Sequence, residues 1–178
     1  MTIYLIRHGK TLANERRVYC GSTDLGLSDR GREELKDIRY DIQNVRFLTS
    51  GMTRANETME LLFPGVSYDT DSQFRELDFG DFEMHSYDEL KDRPDYRAWL
   101  SGDNERNVPP GGESGEQMTG RVLSAYRGLT GDTCLVTHGG VIAAIMTSLF
   151  PEEDRHRYQW QPENGHGYRI TDGSYEPI

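Results

Sequence analysis

The stretch Ile3-Tyr4-Leu5-Ile6-Arg7-His8-Gly9 decides the fold of this chain. A β-prone apolar run ends there and releases a cation, an imidazole and a glycine at its tip. In an open α/β sheet ligands bind beyond the carboxyl ends of the strands, so this ending places reactive side chains where a ligand sits. Glycine lets the backbone turn sharply and approach that ligand closely. Arg7 beside a charged His8 is unfavourable unless an anion lies between them. The tripeptide therefore points to a histidine nucleophile facing an anion such as phosphate.

The same design recurs downstream. Thr137-His138-Gly139-Gly140 closes the run Thr133–Thr137 and opens a helix whose first N–H groups, aided by the helix dipole, attract an anion. Parallel strands would bring both His-Gly tips to one edge. Val45–Thr49 and Val66–Tyr68 read as further buried strands. Helical spacing predicts Asp29–Asn44 (Leu35, Ile38 and Ile42 on one face), Thr53–Phe63, Ser114–Leu129 and Gly140–Leu149, the last stopped by Pro151. Ser114 with Gln117 three residues on forms a capping box. Gly167–Thr171 and Ser174–Ile178 flank Asp172-Gly173 as a hairpin. The alternation predicts an α/β three-layer sandwich, a mainly parallel central sheet with helices on both faces. A single domain over residues 1–178 is expected, with a lid-like insertion at about 77–112. That insertion holds helical pieces at Tyr87–Lys91 and Asp95–Leu100 and a polar loop at Ser101–Gly112.

A formal net charge of −10 over 178 residues opposes binding to nucleic acid or to an anionic membrane surface. An anionic substrate then needs a local arginine cluster, which draws attention to Arg7, Arg54 and Arg75. The apolar stretch Val141–Phe150 falls short of membrane-spanning length, and no basic region leads into a long apolar segment, so no secretory signal is expected. Cys20 and Cys134 are far apart and lack a CxxC pattern, which argues against a disulfide scaffold and fits a reducing cytoplasm. His85, His156 and His166 show no metal-ligand spacing, and no metal site or cofactor is expected.

Two further segments carry chemistry. Arg54 falls in the first turn of the helix after Val45–Thr49, where its guanidinium fork can grip a phosphate bidentately. In Arg75-Glu76-Leu77-Asp78-Phe79-Gly80-Asp81-Phe82-Glu83, carboxylates alternate with apolar residues. A partly shielded carboxyl can hold a raised pKa and act as a general acid. Spacing leaves Glu76, Asp78, Asp81 and Glu83 equally open for that task.

Together these motifs resemble the histidine phosphatase superfamily, in the branch that includes cofactor-dependent phosphoglycerate mutases. The resemblance runs through Arg7-His8-Gly9-Lys10-Thr11 with Asn14, then Asp24, Leu27-Ser28 and Gly31. It continues with Ser50, Arg54-Ala55 and Thr58, Glu76, and Phe79 to Glu83. Gly111-Gly112-Glu113-Ser114 and Val136 to Ile142 complete it. The resemblance implies a phosphoglycerate mutase-like fold and a metal-independent phosphomonoesterase acting on a small phosphorylated metabolite. It makes His8 the phosphoryl-accepting nucleophile and Glu76 the proton donor. Arg7, Asn14, Arg54, His138 and the Gly139 backbone would hold the phosphate.

The departures are specific. Lys10 stands where glutamate is usual, and Ala143 where many relatives carry arginine. Glu83-Met84, then His85 and a helical piece with Tyr96 and Trp99, is similar to the alpha-ribazole phosphatase subgroup of cobalamin synthesis. That similarity makes Met84 and His85 candidate substrate contacts. A mutase is the nearest alternative, although the chain is short for the segments that enclose a bisphosphate cofactor. A non-catalytic phospho-ligand module is another, but a binder has no use for a proton donor.

Overall fold

The computed structural model describes residues 1–103 and 105–178. Six strands form its centre: β1 (Thr2–Arg7), β2 (Arg46–Thr49), β3 (Asp69–Thr70), β4 (Thr133–Thr137), β5 (Gly167–Thr171) and β6 (Ser174–Pro177). Their order across the sheet is β3-β2-β4-β1-β5-β6. The β1–β4, β2–β4 and β2–β3 pairs are parallel, whereas β5 and β6 add on antiparallel as the expected hairpin. The helices are α1 (Leu12–Arg16), α2 (Asp29–Leu35), α3 (Thr53–Leu62), α4 (Tyr87–Leu90), α5 (Pro94–Leu100), α6 (Gly115–Arg127) and α7 (Gly139–Leu149).

Alternation along the strands divides the core in two, because successive side chains point to opposite faces. Ile3, Leu5, Leu48 and Leu135 pack with Met118 and Val122 of α6 and with Val141, Ile142 and Ile145 of α7. Ile6, Cys134 and Val136 face the other way, onto Leu35 of α2 and Ala55, Met59 and Leu62 of α3. The expected three layers are present. From Val141 to Met146 α7 is buried on every side, which accounts for its lack of a polar face.

Two elements differ from the sequence expectation. The helix predicted to reach Asn44 stops at Leu35 with Lys36 as its cap. Ile38 and Ile42 still reach the same core as Leu35, but from irregular chain. Residues 38–43 form no regular element, Tyr40 donates its hydroxyl to the Gly165 carbonyl at 2.8 Å, and Asn44 adopts a left-handed φ of 57°. Val66 and Tyr68 pack on the core without pairing, and the edge strand is Asp69–Thr70, opposite Leu48 and Thr49. The Ser114–Gln117 capping box is formed as expected.

The excursion after β3 has its own small core. Phe82, Leu90 and Tyr96 are buried together, with Tyr19, Phe79 and Trp99 packed against them. Tyr19 comes from the loop after α1, and its hydroxyl lies 2.6 Å from that of Tyr96. Met84 N–H also donates to the Tyr19 carbonyl at 2.7 Å, so the excursion is tied to that loop by backbone and side chain.

Candidate active site

Parallel pairing of Arg7 with Thr137 sets the two strand tips level, and His8 and His138 follow directly. Their ring centroids are 5.2 Å apart. His8 is 5% exposed, and its Nδ1 lies 2.7 Å from the Gly9 carbonyl. A carbonyl only accepts, so Nδ1 carries the proton and Nε2 keeps its lone pair. The backbone around His8 is pinned: its N–H donates to Thr137 O, its carbonyl accepts from Asn164 Nδ2, and Gly9 N–H donates to Thr58 Oγ1.

His138 is fully buried and accepts a hydrogen bond at Nδ1 from Arg54 Nε, 3.2 Å away. Its proton therefore sits on Nε2, which donates to Ser50 Oγ at 2.8 Å. Burial first, and the Arg54 cation second, hold both imidazoles well below the ordinary histidine value of 6.5. Both rings are neutral at pH 7.

Arg54, in the first turn of α3, is 1% exposed. Beyond His138, it donates through Nη1 to Thr23 O and through Nη2 to Gly21 O. One N–H on each terminal nitrogen remains for an anion. Arg7 donates through Nη1 to Pro162 O, while its Nε is buried with no partner among the described residues. Burial lowers the Arg7 pKa, and the nearby Glu76 carboxylate opposes that change. A side chain at Gly139 would come within 3.2 Å of Arg7 Nε, so the unpartnered donor lies against the start of α7. Helix start, unpartnered guanidinium nitrogen and two buried histidines are the kinds of group that attract an oxyanion.

The structure separates the four carboxylates that spacing left open. Glu76 Oε2 accepts from Gly140 N–H at 2.9 Å, at the first turn of α7, and Oε1 accepts from Leu77 N–H. Asp78 accepts from Ser22 Oγ and Gly80 N–H, Asp81 is exposed, and Glu83 is taken up by backbone donors. Glu76 also borders a cavity of about 150 Å³ whose walls include Tyr19, Phe79, Trp99, Tyr158, Glu105, Arg157 and Gln161. Arg157 forms an ion pair with Glu105 across it.

Three predicted contacts are placed differently. The Asn14 carboxamide oxygen accepts from Thr11 N–H and Oγ1 as the capping box of α1, leaving only its amide donor for a ligand. Met84 and His85 do not border the cavity. Met84 sits at a left-handed φ of 62° and is 37% exposed, and the exposed His85 bonds the Glu83 carbonyl, so both serve the turn. Lys10 pairs with Glu34, and Ala143 is fully buried in the core. Sequence reasoning missed Gln161, Arg157 and Glu105. Arg157 opens a one-turn 3-10 helix that Gln161 caps, Glu105 lies in a turn, and no spacing pattern marks them. Cys20 and Cys134 are both free thiols. Among the described residues, no cluster of histidine, cysteine or carboxylate side chains could hold a metal ion, and no helix is long and apolar enough to cross a membrane.

Residues 3–176 match the histidine phosphatase superfamily (branch 1), and the chain belongs to that family. It is 28% identical to an adenosylcobalamin/alpha-ribazole phosphatase of Salmonella typhimurium, over 93% of this chain and 87% of that one. It is 30% identical to phosphoglycerate mutase-like protein 4 of Arabidopsis thaliana, over 84% of this chain and 71% of the other. Among solved structures, a phosphoglycerate mutase from Thermus thermophilus superposes with a TM-score of 0.78 at 29% identity, covering 97% of this chain and 94% of its own.

Proposed function

We propose that this chain is a metal-independent phosphomonoesterase working through a phosphohistidine at His8. The observation that carries the reading is the neutral, buried His8, its Nδ1 proton committed to Gly9, beside the unpartnered Nε of Arg7. In the first step His8 Nε2 attacks phosphorus, and a P–N bond forms as the P–O bond to the leaving group breaks. Glu76 supplies a proton to the departing oxygen and is left as the carboxylate. Water then attacks phosphorus, giving its proton to the Glu76 carboxylate. The P–N bond breaks, and inorganic phosphate leaves. Arg7, Arg54 and His138 wall the transferring group, so charge stabilisation and positioning lower the barrier. Free Cys20 and Cys134 suit a reducing compartment such as the cytoplasm.

A small phosphorylated metabolite fits this site, and alpha-ribazole phosphate is the specific candidate, supported by the Salmonella relative. The cavity beside Glu76 has aromatic walls, and its arginine is already paired with Glu105, which suits an uncharged flat leaving group better than the carboxylate of a phosphoglycerate. The relatives carrying mutase names keep phosphoglycerate transfer as the second reading.

One experiment separates these readings. The chain is assayed against phosphorylated metabolites, including alpha-ribazole phosphate, and against 3-phosphoglycerate with bisphosphoglycerate, with labelled phosphoenzyme trapped by a denaturing quench at alkaline pH, where phosphohistidine is stable. Release of phosphate and a trapped phosphohistidine lost in His8→Ala are expected. A His8→Ala variant that still hydrolyses would overturn the mechanism, and conversion of 3-phosphoglycerate to 2-phosphoglycerate without net phosphate release would favour the mutase.

A further inference from the structure

Glu83 lies in the loop segment leading into α4, away from His8, yet its carboxylate converges on the backbone that holds Arg54. Oε1 accepts from Ser22 N–H and Phe79 N–H at 3.0 Å each. Gly21 N–H lies 3.0 Å from both carboxylate oxygens, and Thr23 N–H is 3.3 Å from Oε2. Successive N–H groups closing on one anion form a nest. The opposite face of the same short segment presents its carbonyls to Arg54: Gly21 O accepts from Nη2 at 2.8 Å, and Thr23 O from Nη1 at 2.9 Å. Gly21 C=O and Ser22 N–H belong to one peptide unit, so that unit is polarised between the Arg54 cation and the Glu83 anion. Gly21 fits only as glycine, since a Cβ there would fall 1.5 Å from Leu77 O. Asp24 adds a brace by accepting from Thr53 N–H and Oγ1 at the first residue of α3.

We infer that Glu83 is the positioning residue for Arg54, holding the guanidinium fork at the phosphoryl site through the Gly21–Thr23 backbone. The inference rests on reading Arg54 as a phosphoryl-holding residue. A carboxylate in direct contact with Arg54 would fix the fork equally well. It would also neutralise the charge that the anion needs and occupy its last donors. Relay through a peptide unit fixes the fork and leaves one N–H on each terminal nitrogen.

Glu83→Gln keeps the shape but replaces one acceptor oxygen with an NH₂ donor facing backbone N–H groups. Calorimetric titration with inorganic phosphate then reads the pocket without requiring turnover. Glu83→Gln and Arg54→Lys are each expected to weaken phosphate binding about ten- to a hundredfold, the range for losing charge-assisted hydrogen bonds. The double variant should bind no more than about twofold worse than Arg54→Lys, because both changes act on one group. Glu83→Asp, which keeps the anion on a shorter arm, should fall between wild type and Glu83→Gln, and thermal melting checks that each variant is folded. Wild-type affinity in Glu83→Gln, or losses that multiply in the double variant, would overturn the role of Glu83. Absence of phosphate binding in the wild-type chain would instead overturn the pocket itself.

Discussion

Gly140→Ala separates the chemistry of the site from the stability of the fold. A Cβ at Gly140 would stand 2.3 Å from Glu76 Oε1, whereas ordinary contact begins near 3.4 Å. The carboxylate must therefore retreat by about 1 Å, breaking the 2.9 Å bond from Gly140 N–H to Oε2. The nearest atoms all belong to the end of the Glu76 side chain, so no backbone has to move. Alanine is also the better helix former, by up to about 1 kcal/mol in a helix interior and by less in this first turn. Stability should thus hold or rise slightly, a change of less than about 4 °C in Tm for a chain of this size. A misplacement of about 1 Å in a catalytic group costs on the order of 100-fold in rate, equivalent to about 2.7 kcal/mol. Steady-state kcat/KM on the preferred phosphomonoester, measured beside a thermal melt, reads both quantities. Activity within threefold of wild type would refute the placement of Glu76 at the leaving oxygen, and a collapse of Tm would refute the claim that only its side chain yields.

Glu76→Gln should lower kcat/KM by about 10²–10³ for alkyl phosphates, whose leaving oxygen needs a proton, and by less than tenfold for p-nitrophenyl phosphate, whose leaving group departs as an anion. An equal loss on both substrates would remove Glu76 as the acid. His8 and His138 are held neutral in the folded chain but titrate near 6.5 when unfolded, so below that pH the unfolded state binds more protons. Their contribution is complete at neutral pH and is lost as pH falls through 6.5, at up to about 1.4 kcal/mol per pH unit for each ring. Urea unfolding at about pH 7.5, 6.5 and 5.5 should show this slope in wild type and a flatter one in a His8→Gln/His138→Gln variant. An unchanged slope in that variant would show that neither ring is the source.

What could be read from the chain depended on whether a residue's partners lay close in sequence. Arg7-His8-Gly9 and His138-Gly139 were legible because each follows a continuous apolar run, and parallel neighbours must end together. Arg54 was legible for a similar reason, as a first-turn residue after another buried strand. The overlong α2 shows the limit of the argument. Leu35, Ile38 and Ile42 share a core as their spacing implied, but periodicity reports burial, and irregular chain satisfied it after Leu35. Glu76 could not be chosen over Asp78, Asp81 and Glu83 from sequence, because what distinguishes it is the N–H of Gly140, distant in the chain. Glu83 was illegible in the same way, since its donors are backbone groups of residues 21–23, which carry no side-chain signature. The strand tips thus announce which groups gather at the proposed phosphoryl site, while what holds those groups in register is specified by backbone geometry. Substitutions in that second set, Glu83 and Gly140 foremost, should therefore alter catalysis while leaving Arg7, His8, Arg54 and His138 themselves unchanged.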